Sequence, residues 1–198
     1  MGAQLSSQPL GGCAPLSMAS LEGSVSHRSA LLILDAQVNM FDEAFPVYAP
    51  LELLEVLISL ISRAHTAGAP VVYVQNCGGP GDPDQPGTPG WEVHPGILQA
   101  EGDLSIQKSS PDAFEGTELR RELDARGVKG IILAGMQTEL CIAATCHKAA
   151  DLGYQVTLVA DGHSTFDIKG QVAAETIERH NRELATCARV ARAEEVWF

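Results

Sequence analysis

The stretch Gly130–Ala160, GIILAGMQTELCIAATCHKAADLGYQVTLVA, alternates between two patterns of apolar residues. It begins with the short apolar run Gly130–Ala134, which is typical of a β-strand buried on both faces. Leu140–Leu152 predicts a helix that ends at Gly153, and Gln155–Ala160 predicts a second strand. A strand, a helix and a strand in this order indicate a βαβ unit, and such units build parallel sheets.

The same alternation continues on both sides of this unit. The other predicted strands are Ala30–Asp35, Pro70–Gln75, the brief Asp103–Gln107 and a possible edge strand at Glu195–Phe198. The other predicted helices are Leu51–Ala64, Glu118–Arg126 and Gln171–Leu184. We therefore predict an α/β domain of three layers, in which helices cover both faces of a parallel sheet.

Length, charge and cysteine count exclude several classes of protein. A chain of 198 residues suits one domain with a sizeable core. Its net charge of -12 would be repelled by phosphates, so we expect no nucleic-acid partner. No apolar run is long enough to cross a membrane, so we expect no membrane partner. The five cysteines are odd in number and widely spaced, which favours free thiols in a reducing compartment, the cytoplasm.

The first 27 residues differ in composition from the rest of the chain. They contain no Lys or Arg and are rich in Ser, Gly, Ala and Leu. A secretory signal needs a basic start and a continuous apolar middle, and this segment has neither. We therefore predict a flexible N-terminal extension over residues 1–27 and one folded domain over residues 28–198.

Three reactive side chains lie at the carboxyl ends of predicted strands, where parallel sheets bind ligands. Asp35 ends the first strand, Lys108 follows Asp103–Gln107, and Cys141 lies one short turn after Gly130–Ala134. A helix start and a nearby cation lower the pKa of a thiol, and Asp35 would accept the thiol proton. The sequence therefore predicts that a carboxylate, an ammonium and a thiol meet at one edge of the sheet.

A second cysteine, Cys146, follows Cys141 by five positions. An α-helix turns by about 100° per residue, so Cys146 would point about 140° away from Cys141. Only one of the two thiols can then face the strand ends. We expect Cys141 to be the nucleophile and Cys146 to pack in the core.

Three motifs together resemble the isochorismatase-like cysteine hydrolases, which include nicotinamidases, N-carbamoylsarcosine amidase and streptothricin hydrolase. They are ALLILDAQ from Ala30, SIQKSSPDAFEGTEL from Ser105, and GMQTELCIAATCHKAADLGYQVTLVADGHST from Gly135. The resemblance implies an isochorismatase-like, Rossmann-like hydrolase domain over residues 28–198, with a six-stranded, mostly parallel sheet. It also implies a homo-oligomer, a dimer or a tetramer.

The same resemblance implies the site residues and the reaction. It assigns a catalytic triad to Asp35, Lys108 and Cys141, and an oxyanion hole to the backbone N–H groups of Gln137 and Cys141. A non-proline cis peptide bond would join Met136 to Gln137. The implied reaction is cleavage of an amide-type C–N bond of a small molecule through a thioester. No cofactor is implied.

Two departures from the family pattern bear on the substrate. Met40 occupies a position that is often aromatic in the family, with Phe41 next to it. Metal-binding nicotinamidases carry an Asp-x-His cluster after the second strand, whereas this chain has only Asp82, Asp84 and His94 there. We therefore expect no metal site. The candidate substrate-pocket residues are Gln37, Phe41 and Trp91.

Two classes of function remain open. The first is a cysteine amidohydrolase that acts on a small molecule, with a nicotinamidase or isochorismatase type of hydrolase as a variant of it. The second is a catalytically silent, oligomeric protein of the same fold that binds a small molecule. The three strand-end residues favour the first class, and the loop Asn76–Ala100 gives no readable substrate preference.

Overall fold

A computed structural model describes residues 28–198, so the extension predicted for residues 1–27 lies outside the described part of the chain. The strands are β1 (Ser29–Leu34), β2 (Val71–Asn76), β3 (Leu104–Lys108), β4 (Gly130–Met136), β5 (Gln155–Ser164) and β6 (Arg189–Ala191). The helices are α1 (Pro50–Ala67), α2 (Leu119–Ala125), α3 (Ala143–Asp151) and α4 (Ala173–Leu184). A π-helical turn, Thr138–Ile142, precedes α3.

The strands form one six-stranded sheet in the order β3-β2-β1-β4-β5-β6. Every neighbouring pair is parallel, which confirms the predicted α/β class. Because all strands run the same way, their carboxyl ends lie at one edge. The two central strands, β1 and β4, are buried along almost their whole length, as their apolar runs indicate.

Alternate residues of β1 build the two halves of the core. Leu31 and Ile33 pack in a cluster with α1, whereas Leu32 and Leu34 pack in a second cluster with α2 and α3. None of these four side chains is more than 1% exposed, so each contributes about 1.5–3 kcal/mol through burial. Successive side chains of β1 point to opposite faces of the sheet, so α1 packs on one face and α2 and α3 pack on the other.

The last strand is not the segment that the sequence predicted. Glu195–Phe198 was expected to form an edge strand, but β6 is Arg189–Ala191, which pairs with Thr157–Val159 of β5. Val196 is instead buried in the α1 cluster, and its carbonyl accepts a hydrogen bond from Arg63 of α1. The apolar residues at the chain end therefore pack against a helix and do not extend the sheet.

Gly135 of β4 lies very close to the backbone of Leu34 in β1, just before the turn that leads to Cys141. Gly135 has a φ of 119°, and a Cβ atom there would lie 2.0 Å from the carbonyl oxygen of Leu34. Only glycine combines this backbone conformation with such close contact between two strands. The absence of a side chain at Gly135 therefore allows the close approach of β4 to β1 next to the strand ends that carry Asp35 and Cys141.

We predict that Gly135→Ala lowers the free energy of unfolding by about 3 kcal/mol or more, since a methyl group collides with the β1 backbone. Gly153→Ala is the matched control, because Gly153 also has a positive φ, of 88°, but open space around it. We expect that control to cost about 1 kcal/mol. Urea denaturation of both variants measures the difference, and equal losses would contradict the steric argument.

A buried histidine on β5 connects the π-helical turn to α4. His163 is 3% exposed; Thr138 lies 2.9 Å from its Nδ1, and Asn181 Oδ1 lies 3.0 Å from its Nε2. The Asn181 side-chain nitrogen donates to the Ala160 carbonyl, so its oxygen faces His163 and accepts from Nε2–H. Nδ1 is then left to accept from the Thr138 hydroxyl. Burial lowers the pKa of His163 to about 4, so the ring is neutral at pH 7.

We predict that His163 makes the protein acid-sensitive between pH 6.5 and pH 4. The unfolded chain binds this proton with a pKa of about 6.5, whereas the folded chain binds it with a pKa of about 4. The stability due to the neutral ring is thus complete above about pH 6.5 and is lost as the pH falls towards 4, by up to about 3 kcal/mol. Urea denaturation across this range should show a shallower loss in His163→Gln than in wild type. His147→Gln, which changes an exposed histidine, should follow wild type.

Candidate active site

The three predicted strand-end residues meet at the carboxyl edge of the sheet. Asp35 follows β1, Lys108 ends β3, and Cys141 lies in the π-helical turn after β4. The Lys108 Nζ atom is 3.0 Å from Asp35 Oδ2 and 3.1 Å from Cys141 Sγ. We call these residues the strand-end cluster. The ammonium therefore lies between the carboxylate and the thiol.

The strand-end cluster is almost closed to water. Asp35 is 1% and Lys108 is 2% exposed, and Cys141 is half-buried. The second carboxylate oxygen of Asp35, Oδ1, is buried and has no hydrogen-bond partner among the described residues. Asp35 also has a φ of 50°, a conformation that is uncommon for a residue other than glycine. A buried, unpartnered carboxylate oxygen is suited to accept a proton.

The electrostatics of the cluster differ from the sequence-based expectation of an acidic thiol. Burial and, after it, the charge of Asp35 raise the pKa of the Cys141 thiol to about 12, because Lys108 opposes them only in part. Burial also raises the pKa of Asp35, against the attraction of Lys108. Burial alone would lower the pKa of Lys108, but the charges of Asp35 and Cys141 outweigh it and hold the pKa above its ordinary value. The resting cluster therefore holds a neutral thiol beside a charged ammonium.

The sequence predicted a single helix from Leu140, but the structure places Cys141 in a separate π-helical turn before α3. The bond between Met136 and Gln137 is cis, and the Gln137 carbonyl accepts hydrogen bonds from the N–H groups of Leu140 and Ile142. The α-helix α3 begins only at Ala143. Cys141 thus lies at the strand end before the helix.

Cys146 lies in a different environment from Cys141. It is fully buried within α3 and belongs to the core cluster that packs between the sheet and α2, α3 and α4. Burial raises the pKa of its thiol to about 12, and the neighbouring Cys187 raises it too. No hydrogen bond or ion pair between the described residues joins Cys146 to Asp35 or Lys108, in agreement with the expected packing role.

Two polar residues beside the cluster were not predicted. Asn76, the last residue of β2, accepts a hydrogen bond from Lys108 Nζ through its Oδ1 at 3.2 Å. Its side-chain nitrogen donates to Asp84 Oδ2 at 2.6 Å. The rule that selected Asp35 and Lys108 also applies to Asn76, because Asn76 ends a strand between theirs in the sheet. Asp84 lies in an irregular loop, and no pattern in the sequence indicates it.

The three candidate pocket residues have other contacts. Gln37 is fully buried, and its amide bonds to both backbone groups of Asn76 and to the Trp91 carbonyl. The Phe41 ring packs against His94, with ring centres 4.7 Å apart. None of Gln37, Phe41 and Trp91 lines the cavity beside Gln137. Their shared effect is to hold the loop after β2 against the turn after β1.

An open cavity of about 440 Å³ lies beside Gln137. Phe45 and Phe166 stack within it with ring centres 5.0 Å apart. The cavity wall consists of Asn39, Met40, Asp42, Ala44, Phe45, Pro83, Asp84, Gln137 and Phe166. Met40, the departure from the family's aromatic position, is therefore part of the wall. The size of the cavity fits a small molecule.

Two other features, a metal-binding cluster and a membrane-spanning helix, are absent from the described residues, 28–198. No group of three or more His, Cys, Asp or Glu side chains in that range is placed to hold a metal ion. No helix in the same range is long and apolar enough to cross a membrane.

Comparison with known proteins identifies related sequences and folds. The isochorismatase domain model matches residues 29–194. A streptothricin hydrolase from Streptomyces noursei is 40% identical over 139 residues, which are 70% of this chain and 50% of that protein. A second streptothricin hydrolase from the same organism is matched over 55% of its length, so the chain spans about half the length of these relatives.

Solved structures show the same fold. An isochorismatase from Pseudomonas putida KT2440 superposes with a TM-score of 0.77 at 27% identity, over 85% of this chain and 90% of that one. N-carbamoylsarcosine amidase from Thermoplasma acidophilum superposes with a TM-score of 0.70 at 26% identity, over 85% of this chain and 98% of that one. The domain match over nearly the whole described range, together with these likenesses, shows that the chain belongs to the isochorismatase family.

Proposed function

We propose that this protein is a cysteine hydrolase that cleaves an amide-type C–N bond of a small molecule through a thioester at Cys141. The observation that carries the proposal is the buried Lys108 ammonium, which contacts Asp35 on one side and the Cys141 sulfur on the other. The names of the relatives, streptothricin hydrolase and N-carbamoylsarcosine amidase, support an amide-type substrate. The cavity beside Gln137 supports a small one.

In the proposed reaction Asp35 takes the proton of the Cys141 thiol as the sulfur attacks the carbonyl carbon. The raised pKa of Asp35 suits this task, because a stronger base accepts the proton more readily. The backbone N–H groups of Gln137 and Cys141 would stabilise the negative oxygen of the tetrahedral intermediate. Asp35 returns the proton to the leaving nitrogen, the C–N bond breaks, and an amine or ammonia departs.

Water then completes the reaction. It attacks the thioester carbon while Asp35 accepts one water proton. The C–S bond then breaks and Asp35 returns that proton to the sulfur, which gives a carboxylic acid and the Cys141 thiol. Lys108 stays charged throughout and balances the negative charge that moves between Asp35 and the sulfur. Because the pKa of the resting thiol is raised to about 12, removal of its proton during the attack is favoured over a stable free thiolate.

The main competing class is a silent binding protein of the same fold. A nicotinamidase or isochorismatase type of hydrolase is the other alternative. We also expect a homo-oligomer, a dimer or a tetramer, located in the cytoplasm. Release of amine or ammonia from a panel of amides, ureas and lactams distinguishes the hydrolase from the binding protein.

We predict that Cys141→Ala abolishes turnover, by roughly a thousandfold or more, because it removes the attacking sulfur. Cys146→Ala should keep turnover close to wild type and lower the free energy of unfolding by about 1 kcal/mol through a small cavity. Amine release and urea denaturation measure the two effects. Loss of turnover in Cys146→Ala with normal turnover in Cys141→Ala would reject the assignment.

We also predict that turnover needs no metal ion. The expectation rests on the absence, among residues 28–198, of a metal-ligating group of side chains. Protein treated with a chelator and then freed of it should release amine at the original rate. Stoichiometric recovery of a lost activity by zinc or iron would contradict the prediction.

A further inference from the structure

The Lys108 ammonium has three hydrogen-bond acceptors, one for each of its N–H groups. They are Asp35 Oδ2 at 3.0 Å, Cys141 Sγ at 3.1 Å and Asn76 Oδ1 at 3.2 Å. A lysine ammonium has three donors and no acceptor, so this set is complete. In the proposed reaction Asp35 is the base and Cys141 is the nucleophile. Asn76, the third acceptor, contacts the same Lys108 Nζ atom but has no role in that reaction so far.

Asn76 is held in a single orientation. Its side-chain nitrogen donates to Asp84 Oδ2 at 2.6 Å, and a carboxylate only accepts, so the side-chain oxygen must face Lys108. Its backbone N–H donates to Gln37 Oε1 at 2.8 Å, and its carbonyl accepts from Gln37 Nε2 at 3.1 Å. Main chain and side chain of Asn76 are thus fixed by different partners.

The loop is also built closely around Asp84. Asp84 is 9% exposed, and the backbone N–H of Gly78 donates to the Asp84 carbonyl at 2.9 Å. A Cβ atom at Gly78 would lie 2.1 Å from Asp84 Oδ1, so the chain has a glycine where the carboxylate needs room. No ion pair between described residues includes Asp84. The Asp84 carboxylate is instead hydrogen-bonded to the Asn76 amide.

We propose that Asp84 and Asn76 are positioning residues of the strand-end cluster: Asp84 orients the Asn76 amide, and Asn76 holds the Lys108 ammonium between Asp35 and Cys141. The catalytic consequence rests on the proposed function, whereas the effect on the Cys141 thiol does not.

Asp84 exerts two effects that substitutions can separate. The hydrogen bond orients Asn76, while the negative charge of Asp84 raises the pKa of Asp35, on which burial, Lys108 and Cys141 also act. Asp84→Asn removes the charge but retains an oxygen that accepts from Asn76. Asp84→Ala removes both. Asn76→Leu retains the side-chain volume but removes the contact with Lys108.

The test compares these three variants with Asp82→Asn, a control that removes an exposed carboxylate from the same loop. Iodoacetamide labels the protein across a range of pH, and mass spectrometry follows Cys141, with Cys187 as the internal reference. Circular dichroism confirms folding of each variant. This arm needs no substrate, so it decides the proposal even if no amide is hydrolysed.

We expect Asn76→Leu and Asp84→Ala to label Cys141 at least tenfold more slowly at a given pH, because a displaced Lys108 no longer opposes the high thiol pKa. Asp84→Asn should label Cys141 at least as fast as wild type, since the hydrogen bond remains and a negative charge is gone. If one of the two disruptive variants, Asn76→Leu and Asp84→Ala, fails to fold, the labelling rate of the other is enough to test the proposal. Wild-type labelling in a folded disruptive variant, or equal slowing in Asp84→Asn and Asp84→Ala, would overturn the proposal.

A substrate, once found, adds a second measurement. Asn76→Leu and Asp84→Ala should lower kcat with little change in KM, and Asp84→Asn should move the acid limb of the pH profile to lower pH, because the pKa of Asp35 falls. Activity that survives Cys141→Ala would reject the proposed function and leave the labelling result standing.

Discussion

The burial of one ammonium group determines how the four strands β1 to β4 must end. Lys108 is 2% exposed, and a buried charge is tolerated only when it is paired and fully hydrogen-bonded. Its three acceptors come from the ends of β1 and β2 and from the turn after β4. The acceptor atoms at all of these ends must therefore lie within hydrogen-bond distance of the Lys108 Nζ atom. A shift of any strand by one residue would leave the ammonium with an unsatisfied donor.

The parallel sheet supplies that arrangement, and glycine makes it compact. In the order β3-β2-β1-β4, the lysine strand is separated from the cysteine strand by two others, so the long side chain of Lys108 must reach across their ends. Gly135 lets β4 lie against the Leu34 carbonyl, which brings Cys141 within that reach. His163 then holds the π-helical turn from the other side through Thr138. Strand packing, the backbone conformation of Gly135 and the Thr138–His163 hydrogen bond thus all help to position the turn that carries Cys141.

The sequence alone predicted the parts of this arrangement that depend on periodicity. Apolar runs indicated the strands, and the carboxyl-end rule selected Asp35, Lys108 and Cys141 and brought them to one edge. Features that depend on contacts between distant segments were missed. Glu195–Phe198 reads as a strand because it is apolar, but its packing against α1 decides its structure. Asp84 belongs to the site only because its loop folds back on Asn76, and no local pattern encodes that fold.

The pKa of the Cys141 thiol depends on the relative strength of several opposing effects, and the sequence does not reveal those strengths. A helix start and a nearby lysine both favour a thiolate, and on those terms the thiol should be acidic. The structure adds burial and the charge of Asp35, which together outweigh Lys108 and raise the pKa of Cys141 to about 12. The same burial raises the pKa of Asp35, so the base strengthens as the thiol becomes harder to ionise. The cluster therefore favours transfer of the proton to Asp35 at the moment of attack over a thiolate that is present at rest. A neutral, half-buried thiol is also less open to unselective reaction than an exposed thiolate.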